Sequence, residues 1–252
     1  MQFLESSVIG LRAARHRLVA DDHPAEVTLL PMLHVGEQRF FDRVAAEAQS
    51  HDVVLVEGVR SRTVWFLTRA YRWLPLKRLG LVAQGRISPS HGGAEVIHAD
   101  ISPDEFERLW RALPWWQRFA FAAAGLAYGA WLRLSASRAS IARRQSTTDL
   151  PDRGIALAHD TPVGGFFSVI LHARDAHLAG VLAAELGKAR GRPVRIAVVY
   201  GAAHMPAVLA ELRAHGGFRP VESEWLEVIR LCKGRPPGRP FTTSRRPLRP
   251  SG

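Results

Sequence analysis

The chain has 252 residues, which is enough to bury the core of one large domain or of two small ones. Its formal net charge is +11, but six of the cations lie between Lys233 and Gly252, a segment without acidic residues, so the remaining body carries +5. The single cysteine, Cys232, excludes an intrachain disulfide, and the N-terminus lacks the basic and apolar segments of a secretory signal, so we expect a cytoplasmic protein.

We expect one domain over residues 1–232 and a disordered basic tail over residues 233–252. The tail combines its six cations with five prolines, a composition that cannot form a packed element. Its charge serves solubility or gives weak contact with nucleic acid or anionic lipid. The sequence does not indicate an oligomeric state.

The first third of the chain alternates short apolar runs with helical spacing. Residues 15–20 and 25–30 flank a turn-rich cluster, which predicts a hairpin whose second strand ends at His34. Phe40, Phe41 and Val44 then recur at helical spacing, and residues 52–56 form an apolar run that ends in Glu57. The pattern is typical of strands followed by helices, and predicts an α/β fold with a mixed sheet flanked by helices.

The middle of the chain is predicted to contain helical segments around residues 63–73 and a strand over residues 94–98, followed by Asp100. The motif Ser102-Pro103-Asp104-Glu105 supplies an N-cap, a proline at the first helical position and a capping-box glutamate, so a helix should begin there.

An uncharged stretch follows over residues 119–132, preceded by Trp115 and Trp116. At about 1.5 Å per residue its 14 residues span about 21 Å, which is less than the roughly 30 Å hydrocarbon core of a bilayer, so we expect no transmembrane segment. Our first interpretation is a buried helix. The second is an interfacial or lid-like helix, because tryptophan with flanking arginine also suits a bilayer surface.

The last third is predicted to hold one long helix, one strand and a closing hairpin. Residues 155–159 form a short strand or helix, and residues 161–165 a loop. The helix over residues 172–190 would carry Arg174 and Asp175 in its first turn. The strand over residues 194–200 leads through Gly201-Ala-Ala-His204 into another helix, and residues 218–221 and 225–231 form the hairpin.

Four polar residues stand at predicted strand ends or helix starts: His34, Glu57, Asp100 and His204. In open α/β sheets ligands collect at the carboxyl edge of the strands, so these side chains are candidates for a common site. Two imidazoles and a carboxylate suit a divalent cation such as Zn, Mn or Co, and another carboxylate would be a ligand or a general base.

Each candidate also has a structural interpretation. His34 and His204 would cap the helices that follow them, and Asp100 would stabilise the turn before the Ser102 cap. Glu57 ends an apolar strand and therefore needs solvent or a partner. Arg174 and Asp175 would either bind and orient an anionic group or form a charge pair at a helix start.

Three segments in this order resemble the TraB/PrgY/GumN family, which is related to the TIKI metalloproteases and to the erythromycin-esterase and ChaN-like fold. They are Leu29-Leu-Pro-Met-Leu-His34, Val53-Val-Leu-Val-Glu57 and Tyr200-Gly-Ala-Ala-His204, with Arg174-Asp175 between the last two. The resemblance covers about residues 25–215. The family has two Gly-x-x-His motifs; the second is present here, whereas the first reads Pro31-Met-Leu-His34.

The resemblance implies that His34, Glu57 and His204 are metal-binding or catalytic, with Arg174 and Asp175 in supporting roles. It implies an erythromycin-esterase/ChaN-like fold and a metal-dependent hydrolase that acts on peptide bonds. The alternative is a non-catalytic protein that binds a peptide, haem or another small ligand in the same cleft, for example as an inhibitor of signalling. Relatives in the family carry C-terminal membrane helices, which the sequence lacks.

Overall fold

The structure is a computed structural model that describes residues 1–58, 74–85, 93–146 and 162–231. Three predicted segments lie outside the described residues: the helix at 63–73, the segment at 155–159 and the basic tail at 233–252. The loop predicted at 161–165 is wrong, because residues 162–165 belong to a helix.

The described chain alternates strands and helices. The strands are β1 Leu4–Ser6, β2 Gly10–Ala20, β3 His23–Met32, β4 Val35–Gly36, β5 Val53–Val56, β6 Val82–Ala83, β7 Glu95–His98, β8 Arg195–Gly201 and β9 Arg219–Arg230. The α-helices are α1 Gln38–Gln49, α2 Pro103–Ala112, α3 Trp115–Ser135, α4 Arg138–Ser146, α5 Pro162–Lys188 and α6 Met205–Gly216.

A mixed sheet of seven strands is the centre of the fold. Strands β3, β8, β5 and β7 lie side by side in this order and are parallel. On the other side of β3 the sheet continues antiparallel through β2, which also pairs with β1 and β9. The prediction of a mixed sheet in an α/β protein is confirmed, as is the opening hairpin of β2 and β3.

Helices cover both faces of this sheet, because its central strands are apolar on both sides. Val54 and Val56 point into a cluster that contains Phe40 and Val44 of α1. The alternate residue Leu55 points into the opposite cluster, built from residues of α5 and α6 such as Leu178, Leu182, Val208 and Leu212. Strands buried on both faces are typical of parallel sheets in α/β proteins.

The predicted N-cap serine and first-turn proline of α2 are confirmed. Ser102 is the N-cap residue, its hydroxyl accepts a hydrogen bond of 3.1 Å from the backbone N–H of Glu105, and Pro103 stands at the first helical position. Capping of this kind stabilises a helix by about 1 kcal/mol. The helix consequently begins directly after Asp100 and the β7 strand.

Two other predictions about the last third of the chain are also wrong. Helix α5 begins at Pro162 rather than near His172, because proline at the first helical position costs no hydrogen bond. Arg174 and Asp175 therefore lie in the middle of a helix and are not a helix-start pair. Residues 219–230 form one long strand instead of a hairpin, because they pair continuously with β2 across Glu222–Glu224.

The interpretation of residues 119–132 as a buried helix is also wrong. Helix α3 includes this stretch, but Phe119, Leu126 and Trp131 on it are exposed, whereas Phe121 is buried. Within the described ranges no helix has both the length and the hydropathy to cross a bilayer.

Two buried histidines make the fold sensitive to pH. His16 bonds to Ser223 and to the carbonyl of Gln2, and His51 bonds to Thr28 and to the carbonyl of Glu47. Burial lowers the pKa of both imidazoles below the ordinary value of 6.5. The folded state therefore binds fewer protons than the unfolded chain, and this stabilisation is lost as pH falls below about 6.5 through the folded-state pKa values.

We expect Tm to fall between pH 7.5 and pH 5.5, and this pH dependence to be smaller in a His16→Gln/His51→Gln variant. Differential scanning calorimetry at the two pH values measures it. The matched control is His177→Gln, which replaces an exposed histidine of α5 and should retain the wild-type pH dependence. An equal pH dependence in all three proteins would contradict the assignment.

Candidate functional site

The carboxyl ends of the four parallel strands bring the predicted site residues to one edge of the sheet. Met32 pairs with Gly201, and Val56 pairs with both Val199 and His98. His34, Glu57, Asp100 and His204 follow the ends of β3, β5, β7 and β8, so all four lie at the same edge. This is the edge where open parallel sheets bind ligands.

Arg174 of α5 binds the two carboxylates that follow β5 and β7. Its Nε and Nη2 donate to the two oxygens of Asp100 at 2.9 and 2.8 Å, and Nη2 also donates to Oε1 of Glu57 at 2.5 Å. The same Nη2 lies 3.4 Å from the hydroxyl of Tyr200, the ring of which is 5.5 Å from the guanidinium carbon. We call Arg174, Glu57 and Asp100 the arginine–carboxylate network.

The network is shielded from solvent and carries one net negative charge. The side chains of Arg174, Glu57 and Asp100 are 18%, 14% and 2% exposed. Burial opposes the charged form of Arg174, but the hydrogen bond to Asp100 and the charge of Glu57 outweigh it, so the pKa of Arg174 is raised. Burial also raises the pKa of Tyr200, which keeps its hydroxyl neutral. Arg174 is thus a charged side chain whose partners are two carboxylates of the protein itself.

Backbone N–H groups complete the hydrogen bonding of both carboxylates. Oδ2 of Asp100 accepts from the N–H of Gly58 at 3.0 Å, and Oδ1 accepts from the N–H of Ile101 at 2.9 Å. Oε2 of Glu57 accepts from the N–H of Gly201 at 2.7 Å. Asp100 thus stabilises its own turn, as one interpretation of the sequence predicts, and in addition binds the loop after β5 and helix α5.

Gly201 allows the carboxylate of Glu57 to approach the backbone of β8. A Cβ atom at this position would lie 3.0 Å from Oε2 of Glu57 and 3.4 Å from Cδ2 of His204. The first distance is shorter than an ordinary van der Waals contact, so a larger residue would displace the carboxylate of Glu57 by a few tenths of an ångström, whereas the second is an ordinary contact. The close approach of the Glu57 carboxylate to the backbone of β8 therefore explains the glycine in the Gly-Ala-Ala-His segment.

Asp175, the residue after Arg174, binds His204. The Nδ1 atom of His204 lies 2.6 Å from Oδ1 of Asp175, and the imidazole is 4% exposed. The ring packs edge-on against Tyr200, with ring centroids 4.8 Å apart. We call Asp175 and His204 the Asp–His dyad.

The side chain of His204 is fixed by contacts of its imidazole ring and does not cap helix α6. It occupies the N-cap position of α6, after a 3₁₀ turn over Ala202–His204, but its side chain makes no capping hydrogen bond. A hydrogen bond from Nδ1–H to the Asp175 carboxylate fixes the tautomer in which Nε2 carries the lone pair. Nε2 is then a proton acceptor, which is the property required of a general base.

His34 lies at the same edge but is exposed, unlike His204. It precedes the two-residue strand β4, and α1 begins only at Gln38 with Glu37 as the N-cap residue, so His34 does not cap that helix. Its backbone carbonyl accepts a hydrogen bond of 2.8 Å from the N–H of Gln84.

The four predicted metal ligands do not fit a divalent cation as they are placed. Both oxygens of Glu57 and of Asp100 are engaged by Arg174 or by backbone N–H groups. In residues 1–58, 74–85, 93–146 and 162–231, no three His, Cys, Asp or Glu side chains are grouped to hold a metal ion. The residues that converge are instead one arginine, two carboxylates and the Asp–His dyad.

The sequence did not single out Tyr200, although one signal was present. A tyrosine at the end of a buried strand needs a partner for its hydroxyl. Tyr200 is fully buried, contacts Arg174 through its hydroxyl and His204 through its ring, and so connects the network with the dyad.

We expect Arg174→Met to destabilise the protein by about 3–5 kcal/mol, because it leaves two buried carboxylates without their cation. Adding Glu57→Gln and Asp100→Asn should recover part of this loss, because the triple variant contains no uncompensated charge. Urea unfolding measures both. The control Arg43→Met breaks an exposed pair with Glu224 and should cost no more than about 1 kcal/mol. An identical loss in the single and triple variants would show that charge is not the cause.

We expect Gly201→Ala to destabilise the protein by about 1–3 kcal/mol, because the added methyl group displaces the carboxylate of Glu57 and comes into contact with the imidazole of His204. Urea unfolding gives the free energy, and the imidazole signals of His204 in NMR spectra report the displacement. Gly187→Ala on α5 is the matched control: its Cβ would meet no atom within 4 Å, so this variant should be neutral or slightly stabilised. A neutral Gly201→Ala would contradict the close approach.

Comparisons with protein-family models, with curated proteins and with solved structures found no significant match to this chain. The resemblance to the TraB/PrgY/GumN family therefore stays a prediction. The geometry of the dyad and of the network is the basis on which a function is inferred.

Proposed function

We propose that this protein is a hydrolase that adds water to a carbonyl group, with His204 as the general base. The observation that carries the proposal is the 2.6 Å contact between Nδ1 of His204 and the carboxylate of Asp175 at the carboxyl edge of the parallel strands. A histidine oriented by a carboxylate is the base of many acyl-transfer enzymes, and such sites are recognised by their geometry and not by sequence position.

The chemistry assigned to the dyad has two steps. Nε2 of His204 takes a proton from water while the water oxygen attacks the carbonyl carbon, which gives a tetrahedral intermediate and an imidazolium. The carboxylate of Asp175 stabilises that imidazolium through Nδ1–H. When the bond to the leaving group breaks, Nε2–H returns the proton to the leaving nitrogen or oxygen, and the base is regenerated.

The arginine–carboxylate network positions the dyad in this proposal. Arg174 and Asp175 are consecutive on α5, so fixing the guanidinium against Glu57 and Asp100 also fixes the carboxylate that orients His204. Because Arg174 already binds two carboxylates, we assign it no substrate carboxylate. Glu57 holds the N–H of Gly201, three residues before His204, and is a positioning residue.

A peptide bond is the leading substrate class, and an ester of a small molecule is the second. The choice of a peptide comes from the resemblance to the TraB/PrgY/GumN family, and the erythromycin-esterase/ChaN-like fold belongs to the same proposal. Both are supported by the order of the three segments and by their arrival at one sheet edge. No step is assigned to a metal ion, because the carboxylates that would bind it are engaged by Arg174.

The test is a panel of fluorogenic peptides and chromogenic esters, with kcat and KM measured for wild type, His204→Gln and Asp175→Asn. General-base catalysis contributes about 10²–10⁴-fold, so we expect kcat to fall by that factor in His204→Gln with little change in KM. Asp175→Asn should also lower kcat, because it removes the acceptor that fixes the tautomer. His215→Gln, which replaces an exposed histidine near the end of α6, is the control and should keep full activity.

Three results would contradict the proposal. Full activity in His204→Gln would show that the base is another residue. Activity that disappears with a chelator and returns with Mn, Co or Zn would restore the metal-dependent mechanism predicted from the sequence. Ligand-induced thermal stabilisation without turnover of any substrate would favour the non-catalytic binding of a peptide, haem or another small molecule in the same cleft.

A further inference from the structure

Helix α3 presents an exposed apolar face. Of the eleven large hydrophobic side chains that are exposed in the described residues, six are on this helix, with exposed fractions between 47% and 88%. They are Trp115, Trp116, Phe119, Leu126, Trp131 and Leu134. Large contiguous apolar surfaces of this kind usually mark a site of contact with a membrane or with another molecule.

These side chains form one face and not a scatter. Trp115, Phe119 and Leu126 are separated by four and seven residues, which places them almost in line along an α-helix of 3.6 residues per turn. On the opposite face, Phe121 packs into a small cluster with Phe106 of α2 and Ile170 of α5. The helix is thus attached to the body on one side and exposes the other.

The charged side chains of α3 and α4 themselves are all of one sign. Residues 115–146, which comprise α3 and α4, contain five arginines and no aspartate or glutamate. Arg133 and Arg143 are exposed, and the guanidinium of Arg144 lies 3.7 Å from the centre of the Trp131 ring. Tryptophan beside arginine is typical of helices that lie in the interface of a bilayer, with the aromatic rings at the level of the headgroups.

We propose that α3 binds the surface of an anionic phospholipid membrane, with its apolar face inserted among the headgroups and the exposed Arg133 and Arg143 against the lipid phosphates. A second copy of the chain is a weaker candidate for the same face. A twofold dimer would bring the same patch against itself, and the arginines of α3 and α4, which have no acidic residue on either helix, would then repel each other. This inference does not depend on the proposed hydrolase activity.

Co-flotation of the full-length protein with vesicles tests the proposal. One set of vesicles is phosphatidylcholine alone, and the other is phosphatidylcholine mixed with phosphatidylglycerol. We expect the wild-type protein to float with the anionic vesicles and to bind the neutral ones more weakly. In the variant Trp115→Gln/Phe119→Gln/Leu126→Gln, partitioning should fall by about tenfold or more, because three inserted side chains are lost while glutamine preserves helix propensity.

A variant that removes charge separates the electrostatic contribution to membrane binding from the contribution of the apolar side chains. Arg133→Gln/Arg143→Gln should weaken binding to anionic vesicles and leave binding to neutral vesicles unchanged. Its matched control is Arg192→Gln/Arg213→Gln, which removes two exposed arginines from other elements. The basic segment 233–252 is present in every protein compared, so the differences between variants report the helix.

The control for the apolar variant is Val8→Gln/Ile9→Gln/Val221→Gln, which replaces three exposed apolar residues outside α3 and should bind vesicles as the wild type does. Circular dichroism and Tm establish that each variant is folded. If the α3 variant unfolds, quenching of wild-type tryptophan fluorescence by brominated phosphatidylcholine in the anionic vesicles decides the question. No quenching would overturn the proposal.

Unchanged flotation of a folded α3 variant would also overturn the proposal. So would wild-type protein that does not float but forms a dimer in light scattering that the α3 variant abolishes, because a second copy would then be the occupant of this face. Binding of the wild type to single-stranded oligonucleotides, lost in the α3 variant, together with no flotation, would assign the face to nucleic acid.

Discussion

The binding of two buried carboxylates by Arg174 is the interaction on which the site depends. Glu57 and Asp100 end neighbouring parallel strands, where two desolvated negative charges side by side would be unstable. One guanidinium from α5 binds both of them, and backbone N–H groups bind the remaining lone pairs. The contact therefore joins the carboxyl edge of the sheet to the helix that crosses it, and it determines the height and rotation of α5 at that edge.

The Asp–His dyad follows from this constraint. Side chains of consecutive helical residues diverge by about 100°, so a helix that directs Arg174 towards β5 and β7 directs Asp175 to one side, where β8 delivers His204. Tyr200 fills the space between them and contacts Arg174 and His204. A rotation of α5 large enough to release the network would therefore also separate Asp175 from the imidazole. The stability of the arginine–carboxylate network and the orientation of His204 therefore have a common structural origin.

Local patterns in the sequence predicted the parallel strands and the sheet edge at which the site residues meet. They did not predict which side chains bind one another there. Short apolar runs ending in His34 or Glu57 indicate strands because burial on both faces leaves no polar positions before the end. The cation that compensates Glu57 is Arg174, which lies 117 positions away in the chain. The local sequence around Glu57 does not indicate this partner. Histidines and acids at strand ends indicate metal ligands as long as the carboxylates are free, and the contact with Arg174 that engages them is not visible in the local sequence. Helix α5 is longer than predicted for a local reason, because a proline followed shortly by two glycines is also typical of a loop.

The misinterpretation of α3 has a different physical cause. Apolar composition indicates that a helix avoids water, but it does not specify whether protein or lipid replaces the water. In the described structure α3 packs on the body through Phe121, beside Ile170 of α5, and near its end through Trp131, beneath Arg144 of α4. Ile170 is one helical turn before Arg174, so the helix that orients the Asp–His dyad also carries the attachment point of α3. A molecule bound to the exposed α3 face could therefore affect the site through α5. If its binding shifted α5, thermodynamic reciprocity requires that ligands of the site change the affinity of the α3 face for that molecule by the same factor.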